Sequence, residues 1–331
     1  EITPYVNVFN KTPDKEGFSQ FMDSPRYSTG YTTLFGTLGF MIETHMLKPF
    51  DIRVKASYDF LETVLEIAKS DGIQIKSMRK KRLSSITPGT LHPIAWTVDK
   101  TNFRPFDFKG FEGEMRKSQV TGKDRLYYDR KKPFTKRITY YNTYKPTKEV
   151  VVPKIYVIPQ GWHDIMFRLK NNGVKYHTIK SDSTIEVEAY RITDFNTASN
   201  PYEGHYLHNQ VEVERYMKTI TLRAGDFLID TQQLAVRYLI ETLEPEAPDS
   251  FFAWNFFDTI LQRKEGFSPY VFEEIAFELL SKDSKLKANF EKRKTEDTDF
   301  ASNWYAQLDF IYKRSPHYEK AHMEYPIYRI K

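Results

Sequence analysis

At 331 residues the chain is long enough for two domains, and its 40% hydrophobic content can fill ordinary cores. A net charge of +5, from 49 basic and 44 acidic side chains, is too small to argue for nucleic acid as the partner of the whole chain. The absence of cysteine excludes disulfides, Cys-ligated zinc and thiol catalysis together.

No run approaches the ~18 apolar residues needed to span a bilayer. The chain opens on Glu1-Ile2-Thr3-Pro4 with neither an initiator methionine nor a signal-peptide pattern, so it is expected to be a fragment of a longer polypeptide. Tyr5–Phe9 is a short β-rich run, and Thr12 to Gly17 a turn-rich loop. Tyr27–Leu38 has modest helical character, and the apolar run Gly39–Leu47 reads as a strand. Pro49 and Asp51 then open a helix with Asp51 as its N-cap. Val54, Tyr58, Leu61, Leu65 and Ala68 form its apolar stripe, and Ser70-Asp71-Gly72 is expected to stop it. Strand and helix alternate here without a hairpin signal, which suggests crossover packing on a largely parallel sheet.

Residues 76–90 read as a basic linker, with Lys76, Arg79, Lys80, Lys81 and Arg82 before Pro88-Gly89. Between residues 103 and 141, Lys and Arg interleave with Phe and Tyr. Such interleaving suits either a single-strand nucleic-acid platform or two-faced strands with rings inside and cations outside. Interruption by Asp107, Glu112, Glu114, Asp124 and Asp129 favours the second reading. Further on, Val150–Ile158, Thr184–Ile192 and much of Val211–Leu222 read as strands, Gly225-Asp226 turns the chain into Phe227–Asp230, and His163–Asn171 and Gln232–Leu243 read as helices. Residues 246–331 are expected to be mainly helical, through Tyr270–Leu280, Ser284–Lys294 and Asp299–Tyr312.

The chemistry centres on Glu43, a carboxylate inside an apolar run. Met41, Glu43 and His45 share one face of the expected strand, so Glu43 and His45 point into the same space. A partly buried Glu suits general base work, and it equally suits a structural pair with a neighbouring Arg or Lys. Glu203, His205 and His208 are the one loosely spaced trio that offers metal-ligating side chains, against a loop reading favoured by Asn200-Pro201 and Gly204. The other histidines are isolated, and no Gly-rich phosphate loop or nucleophile elbow occurs.

From Thr3 to Leu65 the chain resembles the end of the catalytic domain of the zinc carboxypeptidases, the carboxypeptidase A-like enzymes. Asp23-Ser24-Pro25-Arg26-Tyr27-Ser28-Thr29-Gly30-Tyr31 and Gly39-Phe40-Met41-Ile42-Glu43-Thr44-His45-Met46-Leu47 carry the resemblance. Pro159–Trp162, Pro201–Tyr206 and Asp249–Asn255 resemble regions attached to bacterial members of that family. The resemblance implies the C-terminal part of a bacterial-type zinc peptidase, periplasmic or secreted, acting on peptide substrates. It makes Glu43 the general base on a zinc-bound water, and gives Arg26 and Tyr27 to the substrate pocket. The family's His-x-x-Glu pair and later His lie upstream of the catalytic strand, and no His precedes His45 here. Zinc is therefore expected in the full-length parent and not in this chain, and the segment alone is expected to be inactive.

The implied fold is an α/β C-terminal remnant of a carboxypeptidase-like domain over 1–75. After the linker come a β-rich mixed accessory domain over 91–245 and a mainly helical C-terminal region over 246–331. No nucleic acid and no membrane span are expected, and an exposed sheet edge leaves room for self-association. The alternative is a non-catalytic module that binds a peptide, a glycan or a protein partner through its β-rich middle.

Overall fold

A computed structural model of the protein describes residues 2–6, 8 and 11–331. The β-rich run at Tyr5–Phe9 lies partly outside them, at Asn7 and Phe9. The described residues from Ile2 to Val8 form no strand.

The chain opens with a single helical turn α1 (Pro13–Glu16), the two-residue strand β1 (Phe18–Ser19) and the short helix α2 (Ser28–Thr33). Gly39–Leu47 is irregular chain and not the expected strand. A strand gains its hydrogen bonds only from a neighbour, and no described strand pairs with this run. Among the described residues of this region no parallel sheet forms beyond the two-residue ladder of β1, which lies parallel to β4 (Asp124–Tyr141) at Phe18↔Tyr140 and Ser19↔Tyr141.

Helix α3 (Phe50–Ser84) runs 35 residues, straight through Ser70-Asp71-Gly72. One interior Gly costs only about 1 kcal/mol of helix stability, and the Lys, Arg, Ile and Met residues that follow tolerate helix well. The basic stretch read as a linker thus becomes the last turns of α3, where Lys81 and Arg82 face the negative end of the helix dipole. Asp51 lies in the first turn, with Pro49 at the cap position.

Next come β2 (Leu91–Val98), β3 (Arg104–Lys117), β4 and β5 (Tyr144–Val151). The β3–β4 hairpin runs from Arg104↔Tyr140 to Lys117↔Asp124, slipping register between Phe111 and Glu112. Phe106, Tyr140 and Phe108 pack their rings on the buried Phe18. Several cations of the hairpin meet acids: Lys136 lies 2.8 Å from Asp14 and 3.0 Å from Glu112, and Lys117 3.3 Å from Asp124. Part of the interleaved sequence therefore turns rings onto Phe18 and pairs charges at the surface, while Phe103, Phe111 and Tyr128 remain exposed.

The main body is an antiparallel sheet in the order β7-β10-β6-β11-β8-β9. Its strands are β6 (Ile155–Ile158), β7 (His177–Thr178), β8 (Ser183–Thr197), β9 (His208–Leu222), β10 (Phe227–Asp230) and β11 (Glu324–Ile330). Helices α4 (His163–Asn171) and α5 (Val236–Leu243) supply Leu169 and Leu239 to a core built around Tyr156, Ile192, Phe252 and Tyr325.

The helices α6 (Pro269–Lys282), α7 (Ser284–Glu296), α8 (Thr298–Ser302) and α9 (Trp304–Tyr312) have their own core of Phe272, Phe290, Phe300 and Phe310. Asp283, Asp297 and Asn303 cap α7, α8 and α9 by accepting from the backbone N–H three residues on. The C-terminal region is not helical to its end, because β11 returns to a central place between β6 and β8. Pro326 argues against a central strand, and the register slip between Tyr325 and Arg329 on the β8 side accommodates it.

An ionic hub holds β11 in place. Arg329, 2% exposed, donates through Nη1 to Glu188 at 2.5 Å and also bonds the Tyr190 hydroxyl and the Val151 carbonyl. Its Nε lies 3.2 Å from Glu244, which accepts from Tyr156 at 2.6 Å and Tyr190 at 2.8 Å. Burial, reinforced by the Glu244 charge, pushes the Tyr156 and Tyr190 hydroxyls well above the ordinary tyrosine range. Among the described residues, no helix is long and apolar enough to cross a membrane.

Candidate functional site

The first motif, Asp23 to Tyr31, is locked into the sheet body. Gly30 is required where α2 folds back, since a Cβ there would sit 2.0 Å from the Ser24 carbonyl oxygen. Arg26 reaches across 223 residues to Asp249. Its backbone N–H donates to Asp249 Oδ2 at 3.1 Å, its Nε to Oδ1 at 2.8 Å, and its Nη2 to the Pro248 carbonyl at 3.2 Å. The guanidinium lies 5.6 Å from the centre of the Tyr202 ring and 5.7 Å from that of Trp254. Trp254 Nε1 donates to Asp249 Oδ1 at 3.0 Å. Tyr27 packs edge-on against Phe21.

Past α2 the docking continues. Leu34 is fully buried in the main core, Phe35 stacks on Tyr238, and the Thr33 carbonyl accepts from Arg237. Residues 23–36 therefore belong to the sheet body, and a domain boundary at residue 75 does not describe them.

The second motif touches the first and then leaves it. A Cβ on Gly39 would lie 2.6 Å from Thr32 Oγ1 and 3.2 Å from Thr29 Cα, so the chain passes directly over α2 at that point. Beyond it Glu43 and His45 are exposed rather than partly buried, and Glu43 makes no hydrogen bond or ion pair among the described residues. His45 Nδ1 accepts only from the nearby Leu47 N–H. Phe40, Met41, Met46 and Leu47 also face solvent, as do Val54, Tyr58, Leu61 and Leu65 of α3.

Glu203, His205 and His208 do not come together. His208 is buried, with Nδ1 2.9 Å from Thr197 Oγ1 and Nε2 3.0 Å from Asp258 Oδ1. His205 packs against the rings of Trp254 and Phe256, and Glu203 sits in a turn at φ 49°. Among the described residues no group of three or more acids and histidines is placed to hold a metal ion. A catalytic zinc needs about three protein ligands, so the donor set described here does not fit the zinc that the resemblance implies.

Comparison with known proteins gives a partial match. Over 99 residues the chain is 35% identical to carboxypeptidase 2 of Trichophyton tonsurans and of Trichophyton equinum, and 34% identical to that of Trichophyton rubrum. The similarity relates this stretch to carboxypeptidases. It covers 30% of the chain and 18% of the length of each of these relatives. These relatives are fungal, which lends the bacterial assignment no support. No family model and no solved structure matches the chain.

Asp249, Tyr202 and Trp254 carry no motif that the sequence reading could attach to chemistry. Their pairing with Arg26 joins residues far apart in the sequence, 223 apart for Asp249, and is invisible to local pattern. A weak signal existed in the single Asp beside the aromatic run Phe251-Phe252-Ala253-Trp254.

Proposed function

We propose that this chain is part of a carboxypeptidase-like peptidase that hydrolyses peptide bonds, with Glu43 as the proton acceptor for the attacking water. The 99-residue similarity to carboxypeptidases carries this reading. In it, the zinc that activates water in the parent enzyme is held by polypeptide outside the described residues. The Glu43 carboxylate takes the water proton and returns it to the leaving amine, so the group ends each turnover as it began. The exposed apolar residues of 38–65 form the face on which the metal-bearing polypeptide packs. An exposed contiguous apolar surface of this kind calls for a partner, and closure over it would place Glu43 in a drier setting.

The test uses a longer form of the protein that carries its own zinc ligands. Glu43→Gln should lower kcat on a peptide substrate about 10²–10⁴-fold, with zinc content unchanged. The purified 331-residue chain should hydrolyse nothing. Activity in that chain, or a Glu43→Gln enzyme with full kcat, overturns the reading.

A further inference from the structure

We propose that the tip of the β3–β4 ribbon docks on an anionic lipid bilayer, with Val120 entering the headgroup region and the neighbouring cations meeting lipid phosphates. The inference goes beyond the peptidase reading and does not depend on it.

The ribbon concentrates the positive charge of the molecule. Residues 104–141 hold 11 basic and 5 acidic side chains, a net charge of +6, while the whole chain carries +5. Near the ribbon's base part of this charge is neutralised, where Lys136 meets Asp14 and Glu112. The ladder then passes from Phe111↔Pro133 to Glu112↔Asp129, so Arg130, Lys131 and Lys132 loop out of it as three consecutive exposed cations. Towards the tip Arg116 stands directly opposite Arg125, and their guanidinium groups lie 3.9 and 5.3 Å from the centre of the Tyr127 ring. Glu114 pairs with Arg116, and Arg125 meets no acid among the described residues. Like charges that face each other across a ladder destabilise it, and an anionic surface offsets that cost.

The turn at the tip is built for a medium poor in water. Val120, 94% exposed, stands at its apex between Lys117 and Lys123, with Met115 exposed behind it. A single exposed valine is ordinary on a loop that faces water. The hydrogen bonds around this one are not. The Ser118 N–H donates to the Lys123 carbonyl at 2.9 Å, and the Gly122 N–H to the Ser118 carbonyl at 3.0 Å. The Val120 and Thr121 N–H groups donate to Ser118 Oγ at 3.2 and 3.1 Å, and the Lys123 N–H to Thr121 Oγ1 at 3.3 Å. Five backbone donors are thus satisfied without solvent. Unpaired backbone groups are what normally bar a loop from lipid, so entry costs this apex little.

Nucleic acid also attracts cations, and charge alone does not choose between the two. Single strands gain affinity by stacking bases on open aromatic rings. Here Phe106, Phe108 and Tyr140 are turned onto Phe18, and Arg116 covers Tyr127. An aliphatic apex with sealed donors, rimmed by lysines, fits the bilayer.

The chain has no cysteine, so Val120→Cys can carry a single environment-sensitive dye. With the dye there, the 331-residue chain should show a saturable blue shift on vesicles of equal parts phosphatidylserine and phosphatidylcholine. Vesicles of phosphatidylcholine alone should give none. The same dye at Leu234→Cys, an exposed position between β10 and α5, should not respond. In co-sedimentation with the mixed vesicles, Lys117→Ser combined with Lys123→Ser should weaken binding about 10- to 30-fold. Val120→Asp should weaken it about tenfold. These side chains lie outside the core, so circular dichroism should match the parent in every variant.

Equal binding to the two kinds of vesicle, sedimentation with no shift at position 120, or full binding by Val120→Asp would each overturn the proposal. A single-stranded oligonucleotide that binds more tightly than the mixed vesicles and displaces the chain from them would overturn it in favour of nucleic acid. None of these measurements involves zinc or hydrolysis, so the role of Glu43 stands or falls separately.

Discussion

Residues 23–36 and residues 37–75 are neighbours in sequence, and they meet different environments. The first stretch is anchored by Arg26 on Asp249, Leu34 in the main core and Phe35 on Tyr238. In the second no residue is buried, although it is rich in Phe, Ile, Leu and Met. Apolar content alone therefore does not decide burial. What decides it is whether another surface of the chain has a matching shape, and the sheet body provides one only as far as residue 36. Residues 23–36 are thus tied to the body, while Phe40, Met41, Leu61 and Leu65 of the second stretch lie exposed.

The largest effect expected from breaking this contrast lies deep in the body. Arg329→Met keeps the apolar stem and removes the charge, leaving Glu244 buried without a cation and Glu188 with Lys331 alone. Removing one partner of a buried ionic group costs about 3–5 kcal/mol. Urea unfolding followed by tryptophan fluorescence should show a loss of that size. Adding Glu244→Gln should recover part of it, because the uncompensated charge is then gone. A loss under about 1 kcal/mol would mean that β11 is held by its ladder and core contacts and not by the hub.

A smaller effect is expected in the helical module, which lies between the body and β11. Asn303 accepts from the Ala306 N–H at 3.0 Å and starts α9. Asn303→Ala should cost about 1 kcal/mol. Hydrogen exchange should register the change over α6–α9 and leave the Arg26–Asp249 seam unmoved.

The sequence was informative wherever structure depends on nearby residues. Helix α4 covers His163–Asn171, the bounds expected for a short helix stopped by Gly173. It was uninformative wherever a distant partner sets the outcome. Gly39–Leu47 has strand composition, yet strand formation needs a neighbour that no described residue supplies. Tyr325–Ile330 has the alternation of a strand, but Pro326 and the helices before it hide a central sheet position. At the site, the two motifs around Arg26 and Glu43 were legible and their surroundings were not. The Asp249 that holds Arg26 and the exposure of Glu43 both depend on tertiary packing.

The smallest expected effect is also the one that speaks most directly to the open face. Leu65 is 70% exposed on α3. Leu65→Ala removes no core contact in the 331-residue chain and slightly improves helix propensity, so its stability should stay within about 0.5 kcal/mol of the parent. In a longer polypeptide that packs on this face, the same change deletes a buried leucine and should cost about 2–5 kcal/mol. Measuring the substitution in both contexts turns the exposed stripe into a difference between two numbers. A large loss confined to the longer form identifies Val54–Leu65 as a covered surface. An equally small change in both would show that the face stays open to water, and Glu43 would then lack the partner surface that the peptidase reading gives it.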